Sequence, residues 1–588
     1  MPSKRIERRP VAPMPADFPV GLHPVLARIY AARGVRDARE LDYRLQHLPP
    51  FDQLRDIRGA VELIAEALDR QNRLLVVGDF DADGATSTAV AVRALKAMGA
   101  SNVDFLVPNR FEYGYGLTPE IVEVARAREP DVIITVDNGI SSEQGVAAAR
   151  AAGMQVLVTD HHLPGPTLPK ADAIVNPNQP GDRFPFKSVA GVGVIFYVML
   201  ALRAHLRETG WFERSGCGEP NLAELLDLVA LGTVADVVPL EYLNRIFVAQ
   251  GLARIRAGRA CPGVAALLEV AGRNPARVVA SDLGFAVGPR VNAAGRLDDM
   301  SLGIRCLLAE TRAEALGLAS ELDRLNRERR AIEAEMQEQA QEALERNCPP
   351  EGGQDIPFGV CLYDSHWHEG VIGLLASRVK ERLHRPVIVF TDDGRGGIKG
   401  SARSIPGLHI RDALDAVAAQ HPGLVAKFGG HAMAAGLTLE GDALEPFKAA
   451  FDTQVRRVLG EADLAGMVLS DGPLEAGEID LGLAETLREA GPWGQGFPAP
   501  VFDGVFEVLE HRILKDKHLK LVLRRAGTPA FDAIAFNADL IAWGEGIAHV
   551  HIAYTLEVNE FRGRRTVQLM ISDMQPAGGE TECSGINE

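Results

Sequence analysis

Three short apolar runs in this chain each end on an acidic cluster, and that recurrence limits what the chain can fold into. Leu74 to Val77 leads into Gly78-Asp79-Phe80-Asp81-Ala82-Asp83-Gly84, Ile133 to Val136 into Asp137-Asn138-Gly139, and Val156 to Thr159 into Asp160-His161-His162. Amphipathic stretches such as Ala85 to Met98 and Ser142 to Ala152 separate them, with further runs at Val103 to Val107 and Ala173 to Val175. Strand-length and helix-length segments in alternation predict an α/β fold with a parallel sheet. The carboxyl ends of such strands share one crevice, the usual ligand site, so the acids and the two imidazoles are expected to converge.

Carboxylates brought that close repel one another unless protons or cations intervene. The first cluster opens like a calcium loop, D-x-D-x-D-G, but the twelfth position, which must be a bidentate acid, is Val90, and the cluster follows a strand. Taken singly, an Asp after a strand is most often a turn or cap residue, and a His pair is most often on the surface. Three coincident strand ends point instead to metal. Carboxylate and imidazole without thiolate suit Mn²⁺, Mg²⁺ or Zn²⁺, Mn²⁺ being preferred for ligands of intermediate hardness. Asp236, after the apolar stretch Ala230 to Ala235, is a candidate to complete a two-ion site, with a helix cap as its ordinary reading. Two cations roughly 3.5 to 4 Å apart suit in-line displacement at phosphorus, hence phosphodiester hydrolysis. There is no Walker A pattern, and Gly191-Val192-Gly193 lacks the third glycine of a dinucleotide fingerprint.

At 588 residues the chain is too long for one core, and three or four domains are expected. The expected divisions are an N-terminal arm with a small helical segment (1–50), the α/β domain (51–309), a connector helix (310–348), a smaller α/β domain (349–460), a small β-barrel (461–574) and a disordered tail (575–588). The connector, Glu310 to Asn347, has one Gly, no Pro and charge on most faces, so it reads as a link between domains and not as a core element. Five β-type runs between Val501 and Ile571 suggest an OB-like barrel. The longest uncharged run, Val189 to Leu202, is too short to span a bilayer and reads as a buried helix. Met1 to Phe18 reads as a mobile basic arm without a signal-peptide core. Six scattered cysteines with no C-x-x-C pair fit reduced thiols in a cytoplasmic protein. A net charge of −17 argues against a protein that coats nucleic acid, so any such path is local. The local candidates are the cations between His511 and Arg525 and the group Arg562, Arg564 and Arg565. Trp493 and Phe497 are candidates for stacking on a base, although core packing is their ordinary role.

Asp81 with Asp83, Asp137, and Asp160-His161-His162 resemble the successive motifs of the DHH phosphoesterases. The resemblance extends through Val107-Pro108-Asn109-Arg110, Gly191 to Val194, Asn292 to Leu297 and Ser401 to Ser404, and Gly429-Gly430-His431 resembles the GGH motif of the associated DHHA1 domain. It implies a DHH domain, a DHHA1 domain and an OB-like barrel, with the single-strand-specific exonucleases as the branch most resembled. It further implies that Asp81, Asp83, Asp137, His161, His162 and Asp236 bind two divalent cations and carry catalysis, with Asp79 and Asp160 as ligands or supports. Where some relatives have a His in the first motif, this chain has Val77. Arg110, Arg290, Arg296, Ser401, Arg403 and His431 match positions that hold DNA and its 5′-phosphate, and Lys515, Lys517, Lys520, Arg562 and Arg564 are the expected barrel contacts. The activity implied is 5′-to-3′ hydrolysis of single-stranded DNA to mononucleotides in recombination and repair. A monomer working with single-strand-binding protein and a RecQ-type helicase, away from membranes, is expected. Two alternatives are a DHH enzyme for short oligoribonucleotides, cyclic dinucleotides or pyrophosphate, which would not need the barrel, and a noncatalytic single-strand-binding or replication factor, which would not need the acids.

Overall fold

The computed structural model describes residues 4–109, 113, 116–347, 356–394, 396–515, 517–538, 543, 547–561 and 563–577. It divides into two compact units. One comprises Ala12–Arg327 and Arg488–Ala499, the other Met1–Val11, Glu328–Leu487 and Pro500–Glu588.

The first unit is built on a five-stranded sheet in the order Val103–Leu106, Leu74–Val77, Val132–Val136, Gln155–Thr159, Ala173–Val175. Every neighbouring pair is parallel. Both faces are covered, which is why Leu74–Val77 and Val132–Val136 are buried throughout and read as unbroken apolar runs with no alternation. From Leu74–Val77 the chain first adds a strand on one side, then crosses to add Val132–Val136 on the other. The strand order reverses between these two neighbours, and their carboxyl ends flank the resulting crevice. Asp81 accepts from the Gly84 N–H at 3.0 Å and so caps the helix Ala82–Ala97. The apolar run from Val189 is a buried helix, Gly191–Glu208, as expected.

In the second unit a mixed sheet runs Lys427–Gly430, Ala434–Glu440, Gly397–Arg403, Val387–Asp392, Val360–Tyr363. Phe390, Phe447 and Phe451 lie in the core on one side of it. A closed five-stranded barrel follows, formed by Phe502–Leu514, His518–Arg524, Phe531–Ala535, His549–Phe561 and Arg564–Pro576.

Four expectations change. The helix Arg312–Asn347 does run from the first unit into the second, as a link would, but it is also a core element of each. Ala315, Ala319, Leu322 and Leu325 are buried in its first half, and Met336 and Ala340 join Val360, Trp367 and Val371 in a core in its second. Its charges misled because several are buried in pairs, Asp323 with Arg290 and Glu333 with Arg329 and Arg378. The N-terminal arm is not all mobile: Arg5–Arg8 forms a parallel strand against Met467–Ser470. Within the stretch from 461 expected for the barrel domain, Arg488–Ala499 groups by its contacts with the first unit. There Trp493 and Phe497 stack with Tyr30, and Gln495 O accepts from the Leu240 N–H at 2.7 Å, so these aromatics pack a core. Finally, the last strand continues through Gln575 and Pro576, into the expected tail; residues 578–588 lie outside the described residues.

The short N-terminal strand is anchored by buried Asp503, which accepts from Arg8 Nη2 (2.9 Å), Ser470 Oγ (2.5 Å) and His551 Nε2 (3.2 Å). Burial alone would raise this carboxyl, but the hydrogen bonds from His551, Arg8 and Ser470 hold it well below the usual carboxylate range. A depressed folded-state pKa adds stability above the ordinary value near 4, and this is lost as pH falls toward the folded one. Asp503→Asn is expected to cost about 2 kcal/mol at neutral pH, Arg8 being largely exposed and screened, and to lessen the loss of thermal stability below about pH 4. Melting curves of both proteins across pH 2 to 7 test this.

Candidate metal centre

The acidic side chains sit where the sheet's carboxyl edge turns into its helices. Asp79, Asp81 and Asp83 leave Leu74–Val77, Asp137 leaves Val132–Val136, and Asp160, His161 and His162 leave Gln155–Thr159. The acid loop folds back so tightly that a Cβ on Gly84 would stand 2.6 Å from the Asp79 backbone. Asp137 has φ +61, a left-handed conformation that Asp tolerates better than most residues and that is often held under strain at functional sites. A Cβ on Gly191 would lie 2.6 Å from its carboxylate, so only glycine lets the helix Gly191–Glu208 start against Asp137. At that same helix start, Asp83 Oδ2 accepts from the Gly191 N–H at 2.7 Å and Oδ1 from the Val192 N–H at 3.0 Å.

Asp236 arrives from another direction, at the carboxyl end of Leu226–Ala235. That end of a helix repels a carboxylate and favours a cation. His161 Nε2 lies 3.1 Å from Asp137 Oδ1 and 3.5 Å from Asp236 Oδ2. His161 Nε2 and Asp236 Oδ2 are nonetheless buried without a hydrogen bond of proper geometry. Three groups each place one donor atom per residue within 4.8 Å of the others: Asp79, Asp81 and Asp137; Asp83, His161 and Asp236; Asp137, His161 and His162. The first is all oxygen and the other two mixed. The strand position Val77 is buried in the sheet and adds no donor.

Asp160 differs from the other acids. Its Oδ2 accepts from Ile140 N (2.9 Å), and its Oδ1 from His161 N (2.7 Å), His162 N (3.0 Å) and His162 Nδ1 (2.7 Å). A proton on His162 Nδ1 directed at Asp160 makes Nε2 the acceptor nitrogen, as in carboxylate-histidine-metal triads. Sequence reasoning missed Asn176 and Asn178, which donate to His162 O at 3.0 Å and His161 O at 2.6 Å. They follow Ala173–Val175 of the same sheet, so the strand-end argument, carried one strand further, would have found them.

Charges follow the packing. Burial, and then the charge of Asp236, pushes Asp83 up to about 7. Burial and then Asp81 push Asp236 up to about 7. Burial with Asp83 and Asp81 raises Asp137 well above the usual range. Burial opposes ionisation of Asp160, yet its hydrogen bond with His162 and both imidazoles lower it. Burial lowers His161; it works the same way on His162, but Asp160 overrides it and raises that imidazole to about 9.

The expected phosphate-binding residues are unequal. Arg110 lies outside the described residues. Arg290 is committed within its own unit: Nε donates to Asp323 Oδ1 at 2.9 Å and Nη1 to Ala286 O at 2.6 Å. Arg296 is half-buried in the last turn of Gly288–Leu297. In the second unit, Ser401 and Arg403 share the strand Gly397–Arg403, and His431 follows Lys427–Gly430 two strands away. Arg403 donates to Ser401 Oγ (3.2 Å) and Ala402 O (2.8 Å) and meets no carboxylate among the described residues, and burial lowers its pKa. On the barrel, Lys515, Lys517 and Arg564 are exposed, Lys520 pairs with Asp532, and Arg562 lies outside the described residues.

A carboxyl whose folded pKa exceeds its unfolded one stabilises the fold below the unfolded value and loses that contribution as pH rises through the folded value. For Asp83 and Asp236 the window runs from about 4 to about 7. In chelator the melting temperature is therefore expected to fall as pH rises from 5 to 8, and added Mn²⁺ to restore it most at pH 8. A Mn²⁺-induced shift equal at both pH values would contradict the cluster as the cation site.

Family models match three stretches: the DHH family N-terminal domain over residues 73–233, the DHHA1 domain over 356–457 and the RecJ OB domain over 470–573. The single-stranded-DNA-specific exonuclease RecJ of Salmonella typhimurium is 54% identical over 581 residues, covering 98% of this chain and 100% of the relative. Among solved structures, RecJ of Thermus thermophilus in complex with Mn²⁺ is similar, with a TM-score of 0.77 and 31% identity over 99% of this chain and 81% of that one. Its complex with Mg²⁺ has a TM-score of 0.72 and 30% identity over 98% and 79%.

Proposed function

The chain belongs to the RecJ family of DHH phosphoesterases, and on that premise we propose that it is a metal-dependent exonuclease removing mononucleotides in turn from the 5′ end of single-stranded DNA. The observation that carries the reading is the buried cluster of five carboxylates and two imidazoles at the reversal of strand order, too repulsive to ionise together without cations.

The donor set fits a pair of hard divalent cations, Mn²⁺ or Mg²⁺, which Asp79, Asp81 and Asp137, Asp83 with His161 and Asp236, and His162 with Asp137 and His161 would hold between them. Such cations stabilise the charge that develops on the attacking and leaving oxygens at phosphorus. The chain's own residues do the rest. Asp160 orients His162 through Nδ1 and holds the backbone of both histidines, acting as a positioning residue. Asp83 ties the Gly191 helix start to the acid loop. Arg403, half-buried and without a carboxylate partner among the described residues, suits the 5′-phosphate, with Ser401 and His431 beside it in the role. Lys515, Lys517 and Arg564 on the barrel suit the backbone of the strand. Arg290 contributes by bracing Asp323 unless the substrate draws it away. A cytoplasmic monomer working beside single-strand-binding protein and a RecQ-type helicase fits this activity.

Single strands labelled at either end, with 5′-phosphate or 5′-hydroxyl, are to be incubated with Mn²⁺ beside duplex controls. Mononucleotides are expected from the 5′ end of single strands only, with none released in chelator or by Asp81→Ala. Asp160→Asn should lower kcat by about 10- to 100-fold, as loss of an outer-shell partner does. Arg403→Ala should remove roughly a tenfold or greater preference for 5′-phosphate ends while sparing 5′-hydroxyl ends. Intact long strands alongside cleaved dinucleotides or cyclic dinucleotides would replace the exonuclease reading with the small-substrate one.

A further inference from the structure

Three large apolar side chains on segments that adjoin the elements of the acidic cluster face solvent: Leu163 (64% exposed), Val237 (63%) and Phe285 (78%). Leu163 directly follows His161-His162 and Val237 directly follows Asp236, and these loops meet where His161 Nε2 comes within 3.5 Å of Asp236 Oδ2. Phe285 belongs to a π-helical turn, Leu283–Val287. Cβ atoms placed on Gly284 and Gly288 would lie 3.1 Å from Val234 Cγ1 and 3.2 Å from Ala235 Cβ, so this turn runs along the residues that lead into Asp236. The turn continues into the helix Gly288–Leu297, where Asn292 Oδ1 accepts from the Ala82 N–H at 2.8 Å and Gly295 abuts the Phe80 carbonyl. One element thus carries Phe285 and is tied both to the helix of Asp236 and to the acid loop.

Single exposed apolar residues need no explanation. These differ in the backbone that presents them. Val237 has φ +62, a left-handed conformation that a β-branched residue strongly disfavours. A π turn is a departure from regular helix that recurs at functional sites. Two irregular backbone features therefore expose apolar side chains on segments that adjoin the helix end carrying Asp236.

We propose that Phe285, flanked by Val237 and Leu163, is the stacking platform for the base of the nucleotide whose phosphate lies at the acidic cluster, and so helps select unpaired strands. This rests on the substrate being a nucleic-acid strand. An unpaired base offers its face to an aromatic ring whatever its identity, whereas a base within a duplex must first leave its stack.

Oligonucleotides bearing 2-aminopurine near the 5′ end, bound in chelator, report stacking without turnover. Binding is expected to quench the probe with the unmodified protein and with Phe285→Tyr, but not with Phe285→Ala. In Mn²⁺, Phe285→Ala should lose about 5- to 150-fold in kcat/KM on an ordinary strand and nothing on one with abasic sites near its 5′ end. Equal quenching by Phe285→Ala, or equal loss on both strands, would overturn the platform. If the unmodified protein cleaves neither strand, the nuclease reading fails, while the quenching comparison still decides the role of Phe285.

Discussion

Carboxylates removed from water and set side by side resist ionising together, and the first unit is arranged around that repulsion. Asp79, Asp83 and Asp137 are buried, Asp81 and Asp236 nearly so, and the pKa shifts of Asp83, Asp137 and Asp236 all run upward from burial and mutual charge. Hydrophobic packing supplies the energy to hold them there. The strands beneath are buried on both faces, and the helix Gly191–Glu208 that closes over the crevice is apolar along most of its length.

Within that frame the acids have different duties. Asp83 gives both oxygens to a helix start, Asp81 caps another helix, and Asp160 accepts four hydrogen bonds and lies in none of the three donor groups. Asp137 takes part in two donor groups, which accords with its left-handed backbone and with the glycine required opposite it. Chemistry and architecture share the same side chains.

Much of this was legible along the chain. The strand runs, the crevice at their carboxyl ends and the coincidence of acids at three strand ends need only the periodicity of side chains and the geometry of a parallel sheet. Legibility failed where charge was internally paired. In Arg312–Asn347 the residues Asp323, Arg329 and Glu333 look solvated but are buried against Arg290 and Arg378, so a helix with a packed stripe read as a bare connector. The pairing of Arg290 with Asp323, 33 positions away, was equally invisible along the chain. Asn176 and Asn178 went unnoticed because they act through backbone carbonyls, and amides after a strand look like turn residues.

The sequence by itself determined the parallel sheet, the barrel and the gathering of acids and imidazoles at three strand ends, because local periodicity and the placing of charge after apolar runs are properties of neighbouring residues. Only the tertiary structure decided which acids face one another, which are spent on helix starts and histidines, and which arginines are already paired. It also returned Arg488–Ala499 to the first unit and Arg5–Arg8 to the second. Those outcomes depend on which side chains the fold brings together, from a few to several hundred positions apart, and the energies of these contacts arise only when burial removes water from both partners.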